Sequence, residues 1–238
     1  MTVLEVEDLH KRFGGVHAVR GASLAVRAGE LLGLFGPNGA GKTTLFNLIA
    51  GALAADSGRI RLLGTEVTAL PAWRRARLGI GRTFQITRPF RDLSVLDNVL
   101  AVVPRTGAAE PHDAASARRL LARVGLDSRA AEPAGTLTLG MLKRLEVARA
   151  LAVQPRLLLL DEPLAGLTAA ESTDLLGVIT GLRQHSSIVM VEHNVRQCLP
   201  VCDRAIVMDA GEVIAEGPPA AIRADPRVVR AYLGEAAC

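Results

Sequence analysis

The sequence predicts an α/β fold on a mainly parallel sheet, and three observations carry the prediction. Short apolar runs alternate along the chain with segments of helical spacing. Leu157–Leu160 is an unbroken run of leucines, the pattern of a strand buried on both faces. Leu31–Phe35 reads as a strand that runs directly into a glycine-rich loop, and a helical pattern follows that loop.

Each element can be placed in order. From Val3 to Leu63 the strand-like pieces are short and punctuated by Gly14-Gly15, Gly21, Gly29 and Gly58, which predicts an antiparallel β element attached to the core. The helix opened by the loop spans Thr43–Ile49 and stops near Gly51. From Arg88 to Val153 the chain is mostly helical, rich in Ala and Arg, with a loop at Pro104–Pro111; this reads as a helical insertion between two core strands. Ala169–Leu182 has helical spacing with Leu175, Leu176, Ile179 and Leu182 on one face. Ile188–Val191 and Ala205–Met208 read as further core strands. The expected organisation is one domain over 1–238, with a core formed by 1–87 and 154–238 and a helical subdomain at 88–153.

Composition narrows the function classes. With 238 residues, 49 % hydrophobic and 22 % charged, the chain is long and apolar enough to build a folded core. Aromatic residues are only 3 %, which argues against a surface that stacks bases or sugars. The net charge of +4 fits nucleic acid, anionic headgroups or phosphate ligands equally. Cys198 and Cys202 would share a helix face, but no His or third Cys stands beside them; with Cys238 they read as reduced thiols of a cytosolic protein. The acidic start Glu5-Val6-Glu7-Asp8 is unlike a secretory signal, and no apolar run approaches the roughly 20 residues that cross a bilayer.

The chemistry begins at Gly36-Pro37-Asn38-Gly39-Ala40-Gly41-Lys42-Thr43, which fits G-x-x-x-x-G-K-[ST] between a strand and a helix. Glycines let successive backbone N–H groups point at phosphate oxygens, and the helix N-terminus adds partial positive charge. Lys42 is expected to reach the β- and γ-phosphates of ATP and the Thr43 hydroxyl to ligate Mg²⁺, with Thr44 beside it. The class this implies is a P-loop NTPase with a RecA-like core. Downstream, the leucine run ends in Asp161-Glu162-Pro163. Asp161 is the expected carboxylate on the Mg²⁺ side, and Glu162 the acid that orients and deprotonates the attacking water.

With these residues in place, the sequence resembles the ATPase subunits of ATP-binding cassette transporters over nearly its whole length. The family's second phosphate motif, Leu-Ser-Gly-Gly-Gln, corresponds to Leu137-Thr138-Leu139-Gly140-Met141, followed by a helix from Lys143 to Leu151. Thr138 keeps the hydroxyl and Gly140 the close backbone approach, whereas Leu139 and Met141 depart from the pattern. The resemblance implies that Gln85 contacts Mg²⁺ and links the core to the helical insertion, and that His193 touches the γ-phosphate. It places Phe13 against adenine and Ala165–Thr168 at the dimer contact, with Thr168 where an acid is usual. It also implies two cassettes facing head to tail, each laying its Thr138–Gly140 segment on the nucleotide held by the other.

Finer details resemble the branched-chain amino acid import ATPases: Lys11–Gly15 with Val16-His17-Ala18-Val19, Gly81–Gln85, Arg88–Val95, and Arg230–Glu235. That resemblance implies a peripheral subunit on the cytoplasmic face of the bacterial inner membrane. Its partners would be two transmembrane permease subunits, a homodimeric or heterodimeric second ATPase and, indirectly, a periplasmic binding protein. The cargo would be branched-chain amino acids or related small amino acids and amides. A lipopolysaccharide-export ATPase shares parts of Leu93–Val99 and the Tyr232–Glu235 ending. A non-transport cassette acting on DNA or ribosomes would use Arg74, Arg75, Arg77, Arg82, Arg88 and Arg91 as a patch. A solvated or membrane-proximal face is the plainer reading of those arginines, so no nucleic acid is expected.

Overall fold

The computed structural model describes residues 1–102 and 113–233. The loop expected at Pro104–Pro111, and Gly234, Glu235 and Cys238, lie outside the described residues.

The chain opens with the antiparallel pair β1 (Thr2–Phe13) and β2 (Val16–Arg27). It passes through β3 (Leu31–Phe35) and the glycine loop into α1 (Lys42–Ala50). The next strands, β4 (Ser57–Leu62) and β5 (Thr65–Glu66), return to the first layer and complete an antiparallel sheet in the order β2-β1-β4-β5. Then come α2 (Ala72–Arg77), β6 (Ile80–Arg82), α3 (Val95–Leu100), α4 (Ala114–Arg123) and α5 (Leu139–Leu151). The second half runs β7 (Leu157–Asp161), α6 (Ala169–Leu182), β8 (Ser187–Val191), α7 (Val195–Cys198), β9 (Arg204–Asp209) and β10 (Glu212–Gly217). It ends in α8 (Pro219–Ala224) and α9 (Pro226–Leu233).

The second sheet has the order β10-β9-β3-β8-β7-β6. Its strands β9, β3, β8, β7 and β6 are parallel, and only the edge strand β10 is antiparallel. The leucine run explains itself here. Leu157 and Leu159 join the apolar layer that contains α1 and the antiparallel sheet, while Leu158 and Leu160 join the layer of α3, α5 and α6. All four are fully buried. Each such leucine contributes about 1.5–3 kcal/mol relative to an exposed one.

One expectation was off in detail. The N-terminal element consists of two twelve-residue strands rather than short pieces. Its glycines mark irregularities inside or beside continuous strands. The β1–β2 register shifts between Val6 and Leu9, where Asp8 has φ +45°. Gly58, at φ +93°, lies so close that a Cβ there would overlap the Asp8 carbonyl. A bulge admits such residues without ending the strand. The helix over Ala169–Leu182 is as expected, buries the expected leucines, and is closed by a capping box between Thr168 and Glu171.

Candidate active site

Parallel pairing brings the predicted residues together. Because β3, β8, β7 and β6 run the same way, their C-terminal ends share one edge of the sheet. The loop Gly36–Thr43 leaves β3 there, Asp161 and Glu162 end β7, Glu192 and His193 follow β8, and Gln85 lies three residues past β6. This is the edge at which open α/β sheets bind ligands.

The loop is built for backbone donors. Gly36 (φ +145°) and Gly41 (φ +97°) sit where a Cβ would overlap the carbonyls of Met208 and Ala18 respectively, so glycine is required at both. Gly41 is the N-cap of α1 and no side chain caps this helix, so the positive end of its dipole faces the loop, where an anion is favoured. Pro37 and Ala40 are buried beneath the loop, Asn38, Gly39 and Thr43 are exposed, and Thr44 is half-buried. Lys42 is buried, and its ammonium donates to the carbonyls of Gly36 (2.6 Å) and Pro37 (2.8 Å), so it is held inside the cradle.

Two carboxylates face this loop's edge of the sheet in different environments. Asp161 is buried; its Oδ2 lies 3.5 Å from Arg82 Nη2, and its backbone N–H donates to the Thr83 hydroxyl. Burial pushes the Asp161 carboxyl above its ordinary value, against the pull of the Arg82 guanidinium. Arg82 is itself packed between the rings of Phe46 (4.9 Å) and Phe84 (5.0 Å). Glu162 is half-buried and adopts φ +44°, a left-handed conformation uncommon outside glycine. Its carboxylate accepts a hydrogen bond from the Gln85 side-chain amide at 2.7 Å.

His193 is 60 % exposed, with Nδ1 3.9 Å from the carboxylate of Glu192. Glu192 is buried; one of its oxygens accepts from the Leu164 N–H at 2.8 Å, while burial pushes the carboxyl up. Phe13 ends β1 and is 47 % exposed, so it is not a core aromatic, and the Lys11 ammonium lies 5.5 Å from its ring centre. Thr138 caps α5 by accepting from the Met141 N–H. Gly140 is buried where a Cβ would meet the Glu171 carboxylate at 3.1 Å, and exposed Leu139 reaches Gly166. The Thr138–Gly140 segment and the loop before α6 are therefore packed on each other.

Three residues escaped sequence reasoning. Arg75 was grouped with surface arginines, yet it is among the most buried side chains. Its guanidinium donates to the carbonyls of Leu48, Ile49, Thr68 and Leu70, capping the C-terminal end of α1. Tyr232 on α9 accepts from the Gly36 N–H at 2.7 Å, tying the C-terminal helix to the start of the loop. Lys143 on α5 donates to the carbonyls of Gln85 and Glu162. Of the arginines grouped as a nucleic-acid patch, Arg75 and Arg82 are thus committed inside the protein. Cys198 and Cys202 are buried free thiols, and burial pushes the Cys202 thiol up to about 12.

Among the described residues no group of three His, Cys, Asp or Glu side chains could hold a metal ion by itself. Asp161 and the Thr43 hydroxyl instead offer a few hard oxygen donors, the set that suits Mg²⁺ bound together with substrate phosphates. No helix among the described residues is long and apolar enough to cross a membrane.

Comparisons with known proteins bear on the family and the fold. A family model described as ABC transporter matches residues 19–165, and one described as branched-chain amino acid ATP-binding cassette transporter matches 212–238. The chain is 38 % identical to the high-affinity branched-chain amino acid transport ATP-binding protein BraF of Pseudomonas aeruginosa, over 98 % of either protein. It is also 38 % identical to the lipopolysaccharide export system ATP-binding protein LptB of Haemophilus influenzae, over 99 % of this chain and 98 % of that one. A crystal structure of an ATP-binding cassette of an ABC transporter in its ADP conformation superposes with a TM-score of 0.89 at 30 % identity, covering 98 % of this chain and 99 % of the other.

Proposed function

The chain belongs to the ABC transporter family of ATP-binding, ATP-hydrolysing cassettes, and on that premise we propose that it powers import of branched-chain amino acids or related small amino acids or amides. The observation that carries the chemical half of this reading is the gathering of Gly36–Thr43, Asp161-Glu162, Glu192-His193 and the Gln85 loop at one sheet edge. The cargo half is supported by the match over residues 212–238 and by the likeness to BraF.

Each residue has a role in this reading. Backbone N–H groups of Gly36–Thr43 and the start of α1 receive the phosphates of ATP, and Lys42 turns from the loop carbonyls to the β- and γ-phosphates. Thr43, Asp161 and Gln85 would hold Mg²⁺, which would neutralise phosphate charge. Glu162 takes the proton of the attacking water, with Gln85 orienting its carboxylate. His193 donates to the γ-phosphate, and Phe13 covers the adenine. Thr138 and Gly140 meet nucleotide held by a second cassette, a copy of this chain or a related one. Closure of the pair encloses the phosphate charge, and loss of the γ-phosphate reopens it.

Docking to the membrane subunits uses the apolar groove of about 500 Å³ whose walls include Trp73, Ala76, Phe84, Val102 and Val153. Exposed Phe84 adjoins Gln85, so a helical segment of a permease seated there acts on the partner of Glu162. In this reading the chain works at the cytoplasmic face of an inner membrane, with a periplasmic binding protein engaging the permeases from the other side.

Lipopolysaccharide export is the second reading, favoured by the equal identity to LptB. One experiment separates them: the chain is co-purified with whatever membrane subunits it binds in cells, and ATPase activity is measured in lipid. Stimulation by the binding protein loaded with a branched-chain amino acid supports import. Stimulation by lipopolysaccharide replaces import with export, and no membrane partner overturns both.

A further inference from the structure

Lys143 is only 5 % exposed, and among the described residues its ammonium forms no ion pair. It donates instead to two backbone carbonyls, those of Gln85 at 2.9 Å and Glu162 at 3.2 Å. Burial lowers its pKa, and the carboxylates of Glu192, Glu146, Glu162 and Asp161 act against that lowering. A buried ammonium that hydrogen-bonds only to carbonyls is a costly way to fill space that a methionine would fill without desolvation.

The two carbonyls are not arbitrary. They belong to the residues whose side chains are joined by the Gln85–Glu162 hydrogen bond. Glu162 holds a left-handed backbone, which is strained for a non-glycine residue and persists only where its surroundings fix it. Its N–H is fixed to the Val191 carbonyl on β8 at 3.0 Å, and its carbonyl accepts from Ala165 as well as Lys143. Among the described residues Lys143 is the α5 side chain that hydrogen-bonds both this strained residue and Gln85, while Glu146 and Arg149 tie α5 to Arg88 further along the same loop. The same helix begins at Thr138.

We propose that Lys143 is a positioning residue for hydrolysis, holding Glu162 and Gln85 in register with the Thr138–Gly140 end of α5. The inference rests on the reading of Glu162 as the base. When α5 seats against a partner's nucleotide, the ammonium carries that placement to the carbonyl of Glu162 and so aims its carboxylate. Among the described residues Lys143 makes no hydrogen bond to the Gly36–Thr43 loop, so its loss is expected to act on turnover more than on ATP affinity.

The test measures kcat and KM for ATP in the full chain and its Lys143→Met, Lys143→Arg, Glu162→Gln and Lys143→Met/Glu162→Gln variants, alongside thermal unfolding. Lys143→Met is expected to lower kcat about tenfold or more with KM changed less than about twofold. Lys143→Arg, which keeps donors for both carbonyls, is expected within about threefold of wild type. The double variant is expected to be no slower than Glu162→Gln alone, as for residues acting as a unit. Where Lys143→Met does not fold, Lys143→Gln replaces it. Wild-type kcat in Lys143→Met with an impaired Glu162→Gln overturns the inference and leaves the base assignment standing. A rise in KM equal to the loss in kcat, or no rescue by arginine, assigns Lys143 a merely structural role and also overturns it. Wild-type turnover in Glu162→Gln removes the base and this inference together.

Discussion

The Gln85 side-chain amide donates to the Glu162 carboxylate at 2.7 Å across 77 residues of sequence. That bond joins the loop beside the apolar groove to the strand end that carries the acids. Phe84 is exposed on the groove side of the same loop. A load on the groove is thus one residue away from the group that orients Glu162.

The first prediction concerns Arg75. Its guanidinium satisfies four carbonyls, including two at the end of α1, and burial lowers its pKa to about 10. Arg75→Ala leaves those carbonyls without a donor and opens a cavity, at a cost of about 3–5 kcal/mol. Arg75→Lys recovers little of it, because an ammonium cannot span the fork. Urea unfolding with a midpoint shift near zero for Arg75→Ala would contradict this account of the residue.

Tyr232 gives a second prediction. Tyr232→Phe removes the acceptor of the Gly36 N–H and destabilises the protein by about 1–2 kcal/mol. Because that amide begins the phosphate loop, affinity for ATP is expected to fall by about two- to tenfold. Titration with a fluorescent ATP analogue and an unfolding curve check both parts, and unchanged values in both show that α9 does not hold the loop.

Asp161 gives a pH dependence. Its folded carboxyl is raised by burial, so the unfolded chain releases the proton first as pH rises. Stability of the nucleotide-free protein therefore falls as pH climbs from the ordinary carboxylate range through the raised folded value, then levels off. Asp161→Asn resembles the protonated form. It is expected to unfold at higher urea than wild type at pH 7, with the difference vanishing below about pH 4, while losing Mg²⁺-dependent hydrolysis. A variant less stable than wild type at pH 7 would run against this sign.

Much of this was legible in the sequence for local reasons. The phosphate loop, the leucine strand and the helix Ala169–Leu182 each declare themselves through contiguous residues, where spacing and side-chain type suffice. The glycines of the N-terminal element misled, because a glycine at a bulge and a glycine at a turn look alike until the partner strand is known. Arg75, Lys143 and Tyr232 were illegible for a related reason. Each acts on backbone groups of distant segments, and a carbonyl or amide leaves no trace in the residue type that carries it.

The most direct test of the central claim is hydrolysis by Glu162→Gln beside its binding of ATP. Glutamine keeps the shape and a partner for Gln85 but cannot take a proton. The expected result is a fall in turnover of about hundredfold or more, with ATP still bound and a closed dimer accumulating in size-exclusion chromatography. Turnover at the wild-type rate would contradict the account, because the acid at the end of β7 would then not be the base.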